Sequence, residues 1–287
     1  MRETLFAGAV IGGYFVILFL SERLLPLRRP RRSLVGRLLV NLIFAAVAFA
    51  TVALTVRPAA EAMLGWTGRI HFGLLQLPAI PAAVRPVLAF LLMDLSFYWW
   101  HRANHRIPLL WRFHNVHHID PDLDVSTAFR FHFGELAFSS AFRVAQIALI
   151  APSPWAYGIY EVIFQAVTLF QHSNVRLPIR AERLLNRLLV TPRMHGIHHS
   201  QVREETNSNY STIFPWWDRL HRTLGLNIPQ ADIEIGIPAY AAAEDNRLGN
   251  ALITPFRRQR DYWRREEGTP PAREPTAVRG NRGWMSE

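Results

Sequence analysis

The stretch VRPVLAFLLMDLSFYWWHRANH (84–105) begins as an apolar run broken by one aspartate and ends on two histidines one helical turn apart. Its apolar part, 84–100, is a candidate to cross a bilayer core, which predicts that HRANH (101–105) emerges at the aqueous end. Toward the N-terminus, TLFAGAVIGGYFVILFLS (4–21) and LLVNLIFAAVAFATVALTV (38–56) have the same character. Toward the C-terminus, 136–152 and 154–171 predict a helical hairpin around APSPWAYG. Half of the 287 residues are apolar and 12% are aromatic. The expected fold is therefore an all-α integral membrane protein. It should have about four to five transmembrane or re-entrant helices and a cytoplasmic helical cap carrying the histidines. Residues 1–265 are expected to form one domain with a histidine-rich core at 84–226, and 266–287 to be a disordered tail. A cleaved signal peptide is disfavoured for the first run, because the basic flank SERLLPLRRPRR (21–32) follows it without a small-residue cleavage site.

The net charge is +10, and all 32 basic residues are arginine. Many flank the apolar runs, so anionic lipid headgroups explain them more simply than nucleic acid does. Arg23, Arg28, Arg29, Arg31, Arg32 and Arg37 crowd the first connection, against Arg57, Arg69 and Arg85 in 57–85, a stretch expected to be a loop. The positive-inside rule then puts the first connection in the cytoplasm and the N-terminus outside. Alternation along the chain brings HRANH, His172 and the C-terminal segment to that same cytoplasmic side. With no cysteine in the chain, disulfides, thiolate-ligated haem, cysteine-held iron–sulfur clusters and a cysteine nucleophile are excluded.

HNVHH (114–118) returns as HGIHH (195–199), in a chain with only 12 histidines. On a helix, positions i, i+3 and i+4 share a face. Helices carrying His101, His105, His114, His117, His118, His195, His198 and His199 can thus converge eight imidazoles on one cavity. His172, at the end of the hairpin, supplies a ninth. One catalytic zinc takes about three protein ligands, so this number suits two metal ions. Imidazole accepts zinc, copper, iron or nickel, and ligand type alone does not choose among them. A zinc hydrolase lacks support because HExxH is absent. A bis-histidine haem needs only two of these residues, and a metal carrier would spread its ligands along a transmembrane path. His71 and His221 are expected to be interfacial residues without a metal.

The signatures DLSFYWWHRANH, WRFHNVHHIDPDLDVSTAFRFHFGE, FQHSNVRLP, TPRMHGIHHS and NSNYSTIFPWWDRLHRTLG resemble the fatty acid hydroxylase/sterol desaturase superfamily of membrane di-iron oxygenases. The resemblance covers roughly residues 94–225. It implies two iron ions held by the nine histidines named above, with zinc able to replace them on purification, and O2 as co-substrate. It further implies hydroxylation of a C–H bond in a fatty acyl, sterol or related lipid, with desaturation by the same site as the alternative. The chain has no cysteine and no flavin motif, so a separate reductase, ferredoxin or cytochrome is expected to dock on the arginine-rich cytoplasmic face.

Asp94, seven residues before His101, is expected to orient a metal-binding imidazole or a neighbouring arginine, and Glu135 likewise. His132 is kept out of the ligand set, as a neighbour of the site or an extra ligand. Arg143 and Glu161 are expected to pair structurally across the hairpin. Phe97, Tyr98, Trp99, Trp100, Phe129, Phe131, Phe164 and Phe170 are candidates to line an apolar tunnel.

Overall fold

The apolar run 38–56 lies within a much longer helical path. In the computed structural model α2 (Leu34–Thr51) continues through a π-helical turn at Val52–Val56 into α3 (Arg57–Ile70). The segment 57–70, expected to be a loop, is therefore helix. Its alanines and Met63 are strong helix formers. Pro58 removes a donor and crowds the carbonyl four residues back, directly after the turn in which the helix widens. The path ends where His71 turns left-handed (φ 53°). Beyond it, Gly73 (φ 108°) lies so close to the chain at Ala148 and Ala151 that a Cβ would meet that of Ala151 at 2.6 Å.

The structure describes residues 2–265, 267–268 and 271–272, with the backbone alone for 2–7. The expected tail, 266–287, falls outside the described residues apart from those four positions. Before the long path stands α1 (Arg2–Leu24). After it come α4 (Arg85–Arg106), α5 (Pro108–His118), α6 (Phe133–Ile150) and α7 (Pro154–His172). Five short helices follow: α8 (Ile179–Leu185), α9 (Pro192–His198), α10 (Arg203–Thr206), α11 (Trp216–Leu220) and α12 (Leu248–Ile253). Among the described residues there is no strand, and two isolated bridges join Pro26 to Val175 and Ser200 to Ile235.

The helical hairpin forms as expected. Ala151 turns left-handed at the end of α6 (φ 54°), and Ser153 caps α7 by accepting from the Ala156 N–H at 3.2 Å. α6 packs along α2 and α3 on one side and against α4 on the other, while α7 packs against α1 and α4.

Among the described residues three stretches are long and apolar enough to cross a membrane: Leu34–Gln76, Ala82–Arg106 and Phe133–Ile150. Ile17, Leu39, Phe49, Leu54, Leu149 and Trp155 are each more than half exposed, a band of apolar surface that a soluble monomer rarely carries. α7 is long enough but not apolar enough to join that set, because Glu161, Gln165, Gln171 and His172 interrupt it. These four side chains line an interior cavity.

A buried ionic clamp fixes the polar end of the bundle. Arg37 grips Asp120 with two bonds of 2.8 and 2.9 Å, reaches Asp124 at 2.7 Å, and donates to the Asp122 carbonyl. Asn41 donates to the same Asp120 carboxylate. Burial alone would raise the Asp120 carboxyl, but the Arg37 and Arg130 guanidiniums outweigh it and hold it at about 2. Asp122 accepts from the backbone of Arg31 and Arg32, and Glu22 accepts from Val125 N and Asn174 N. The chain segments after α1, α5 and α7 are thereby tied together. Replacing Arg37 by methionine strands two buried carboxylates and is expected to cost about 3–5 kcal/mol. Thermal unfolding of the detergent-solubilised chain checks this, and an unchanged midpoint would refute the clamp.

Candidate metal centre

Four helices deliver their histidine-bearing ends to one place. α4 ends with His101 and His105, and α5 with His114, His117 and His118. α7 ends at His172, and α9 carries His195 and His198 with His199 as its C-cap. Eight of these imidazoles are buried and His105 is partly so. They fall into two groups. His101, His105, His114, His118 and His198 form one, and His117, His172, His195 and His199 the other. Within each group, one ring nitrogen per residue lies within 4.8 Å of all the others. Each HxxHH box divides in the same way, its first and last histidines going to one group and its middle one to the other.

Hydrogen bonds on the far side of four rings fix their tautomers. The Nδ1 of His101 meets the Tyr210 carbonyl at 2.7 Å, that of His172 the Thr168 carbonyl at 2.7 Å, and that of His198 the Ser208 carbonyl at 2.6 Å. A carbonyl only accepts, so each Nδ1 carries the proton and each Nε2 presents a lone pair to the centre. Glu135 does the same for His114, at 2.7 Å from Nδ1.

The nitrogens facing inward lack partners that could satisfy them. In the second group the Nε2 atoms run from His117 to His172 to His195 to His199 at 3.0, 3.0 and 3.1 Å. His172 has its proton on Nδ1, so its Nε2 lone pair is shared between two neighbouring nitrogens. In the first group the Nε2 atoms of His105, His114 and His118 are buried without any partner. Orphaned lone pairs aimed at a common point fit a divalent cation in each group.

Burial, and next the neighbouring imidazoles, hold His117, His118, His195 and His199 well below the usual imidazole range. Burial pushes His198 down to about 3, against the opposing pull of the Ser208 carbonyl. All five stay neutral at physiological pH, the form that binds metal.

Glu135 bonds one of the clustered imidazoles, His114. Asp94 does not. Its carboxylate accepts from Ile213 N (3.2 Å), Phe214 N (3.1 Å) and Trp217 Nε1 (2.7 Å), and it bonds neither an imidazole nor an arginine. Two turns of helix carry it away from His101 toward the 208–218 segment, which it pins against α4. Asp218 grips the same segment through Tyr210 N and Ser211 N. That segment supplies the Ser208 and Tyr210 carbonyls, so Asp94 acts on the site through backbone. His132 stands apart from both groups. It caps α6, accepting from Gly134 N, and donates from Nε2 to the Leu252 carbonyl. His221 stacks on Tyr98, with ring centroids 4.7 Å apart.

A cavity of about 250 Å³ opens beside the imidazoles of His101, His114, His117, His172 and His195. Of the eight aromatics expected to line it, Phe97, Trp100, Phe129, Phe131 and Phe164 do. Tyr98 and Trp99 lie on another face of α4 against His221, and Phe170 packs with Leu18 and Val125. A larger cleft of about 800 Å³ lies between the 27–31 and 228–235 segments. It is lined by Arg28, Arg29, Arg31, Arg176 and Arg193 and by none of the nine histidines.

The family model described as fatty acid hydroxylase matches residues 86–223. The chain is similar to an ornithine lipid hydroxylase of Rhizobium tropici, 33% identical over 163 residues, covering 56% of this chain and 48% of the relative. It is also similar to alkylglycerol monooxygenase of Homo sapiens, 32% identical over 47% of this chain and 29% of the relative. Cholesterol 25-hydroxylase of Mus musculus is 29% identical over 48% of this chain and 46% of the relative. The aligned regions thus span about half or less of these relatives. No solved structure matches the chain.

Two outcomes test the centre. Glu135→Gln weakens the grip on His114 and should lower metal affinity of the five-histidine group by about 10–100-fold, leaving the four-histidine group loaded. Metal analysis after graded chelation checks it. Because burial keeps these imidazoles neutral, bound metal should persist from about pH 7.5 to about 5.5, where an exposed site of ordinary histidines would release it. Metal content across that range decides.

Proposed function

We propose that this chain, which belongs across residues 86–223 to the fatty acid hydroxylase superfamily, is a membrane di-iron monooxygenase that hydroxylates a C–H bond of a lipid. The observation that carries the proposal is the pairing of two imidazole groups, of five and four, with an apolar cavity that reaches both. Bound there, two iron ions would supply the reduction of O2 and the insertion of one of its oxygen atoms into the lipid.

The chain's own residues do the rest. The nine imidazoles would hold the metals, and Glu135 with the Thr168, Ser208 and Tyr210 carbonyls fixes the tautomer and orientation of four of them. Phe131 stacks on His117 at 4.7 Å, and Trp100, Phe97 and Phe164 shape an apolar wall that excludes water from the reacting carbon. A hydroxylation joins one lipid C–H, one O2, two electrons and two protons to give one C–OH and one water. No cysteine or flavin motif in the chain stores those electrons, so a separate reductase, ferredoxin or cytochrome is required. The arginine-lined cleft on the polar side is its proposed docking face. We place the histidine end in the cytoplasm, on the positive-inside rule. The arginine-rich connection sits at that end, where Arg28 bonds Gln230 and the Pro192 carbonyl beside α9. Four to five spans under a helical cap fit this arrangement, with α1 and α7 completing the three apolar stretches. The named relatives are hydroxylases and monooxygenases, which favours oxygen insertion over desaturation by the same site.

Lipid extracts from cells with and without the chain, compared by mass spectrometry, should differ by a species heavier by one oxygen. A species lighter by two hydrogens would show desaturation instead. His105→Ala and His195→Ala, one from each group, should each abolish the product. Purified protein should turn over only with an added reductant, and sustained turnover on O2 alone would refute the external donor. Zinc found in place of iron after purification should accompany inactivity that iron reloading reverses.

A further inference from the structure

The cavity beside the imidazoles is apolar on most walls but not on α7. Glu161, Gln165, Thr168 and His172 follow at i, i+4, i+7 and i+11, which sets them on one helical face, and all four line the cavity. The stripe ends at the imidazoles on one side. On the other it ends at an ion pair, Arg143 Nη2 to Glu161 Oε1 at 3.0 Å, in which the Arg143 side chain is 8% and the Glu161 side chain 37% exposed. Arg143 also lines the cavity and leans on Gln146. At about 1.5 Å of rise per residue, Glu161 stands roughly 16 Å before His172 on α7, and Arg143 roughly 12 Å beyond Glu135 on α6.

Ionisable residues at such depth are costly and mark substrate or ion paths. A hydrophobic pair of similar volume would hold the two helices together at least as well, so pairing alone does not account for these side chains. Two occupants suit a polar stripe: a file of water moving protons, or a lipid with a hydrogen-bonding group. A proton file needs a reservoir at its far end, and the Arg143–Glu161 end lies away from the polar end of the bundle, between helices with apolar outer surfaces. The cavity wall on α7 also carries buried acceptors without partners. Thr168 Oγ1 and Gln171 Oε1, on side chains 6% and 2% exposed, have no hydrogen-bond partner although both line the cavity. The cavity's 250 Å³ is below the range usual for a whole small ligand, so it takes a segment of a lipid and leaves the remainder in the bilayer.

We propose that Arg143, Glu161, Gln165 and Thr168 form a polar rail that selects a lipid carrying a hydroxyl or amide group and sets which of its carbons faces the imidazoles. The group is uncharged overall, because the arginine and glutamate cancel. It both donates and accepts, because the rail offers a donor and an acceptor side by side. This inference rests on the oxygenase reading for its regiochemistry, but not for its binding arm.

The test uses the full chain in detergent with two labelled probes of equal length, N-methylhexadecanamide and octadecane. Wild type should retain the amide at least roughly tenfold more tightly, since a site built to hydrogen-bond rejects an analogue lacking the group. The triple variant Arg143→Met, Glu161→Met, Gln165→Leu should lose that difference while keeping its metal content. Equal retention of both probes by wild type overturns the rail, and this comparison stands even if the triple variant does not fold. An amide preference that survives intact in a folded, metal-loaded triple variant also overturns it. In a second arm, wild type supplied with reductant should oxygenate the amide probe at one position, and the charge-swapped pair Arg143→Glu, Glu161→Arg should spread oxygen over several carbons. A merely structural pair would be restored by the swap, and an unchanged position would overturn the positioning role. Amide selectivity without any oxygenated product would sink the oxygenase reading and leave the rail standing.

Discussion

An imidazole taken out of water has to stay neutral, and a neutral imidazole carries one N–H and one lone pair, each of which needs a partner. Nine such rings at the meeting point of four helices set terms that the surrounding structure has to meet. On the outer side the N–H groups of His101, His114, His172 and His198 are taken by three carbonyls and one carboxylate. On the inner side the Nε2 atoms of His105, His114 and His118 have no partner, and those of the four-ring group face only one another. Nitrogens 3.0 Å apart leave no room for water between them, and the arrangement suits cations between the rings. Buried carboxylates around one metal would bring charge repulsion of their own. Neutral nitrogens avoid it and leave the compensating acceptors one layer further out.

The doubled pentapeptide follows from the same geometry. On an α-helix, residues i and i+4 lie about 40° apart around the axis, whereas i+3 and i+4 lie about 100° apart. An HxxHH box therefore aims its first and last rings at one point and its middle ring at another. His114 and His118 enter the five-ring group and His117 the four-ring group; His195 and His199 enter the four-ring group and His198 the five-ring group. The two boxes exchange their middle members and link the two sites. HRANH, with only i and i+4, serves one group. A shift of one residue in either box would break both groups at once, which is why α5 and α9 are held so firmly. The Arg37 clamp fixes the chain leaving α5. Asn209, left-handed at φ 54°, bonds the Met194 carbonyl in α9.

Much of this was legible in residue spacing. Helical spacing points to the meeting of eight imidazoles, two apolar runs around APSPWAYG to the α6–α7 hairpin with His172 at its end, and the comparable depth of Arg143 and Glu161 on its two limbs to their pair. What escaped were contacts made by backbone. The Ser208, Tyr210 and Thr168 carbonyls that fix three tautomers have no signature in residue type. Asp94 illustrates the limit. Its position relative to His101 was right by helical phase, but the residues that reach its carboxylate, Ile213, Phe214 and Trp217, are more than a hundred positions away in sequence. The acidic run Asp120, Asp122 and Asp124 was visible but could not be matched to Arg37 without the fold. The helix at 57–70 was missed for another reason, since a basic, proline-bearing stretch after an apolar run reads as the end of a span.

Hydropathy averages a helix over all its faces, and α7 shows what that hides. Its outer residues, Trp155, Val162 and Ile163, are exposed and apolar, as lipid contact requires, while Glu161, Gln165, Thr168 and His172 turn inward to the cavity. The mean falls below that of a simple span although no polar group needs to meet a lipid tail. A helix that both faces the bilayer and lines a reaction chamber carries this mixture, because its two faces have different solvents. Among the described residues three stretches are more apolar than α7, and α7 presents polar atoms near the imidazoles. The polar atoms that α7 turns inward thus belong to the cavity, whose other walls are largely aromatic.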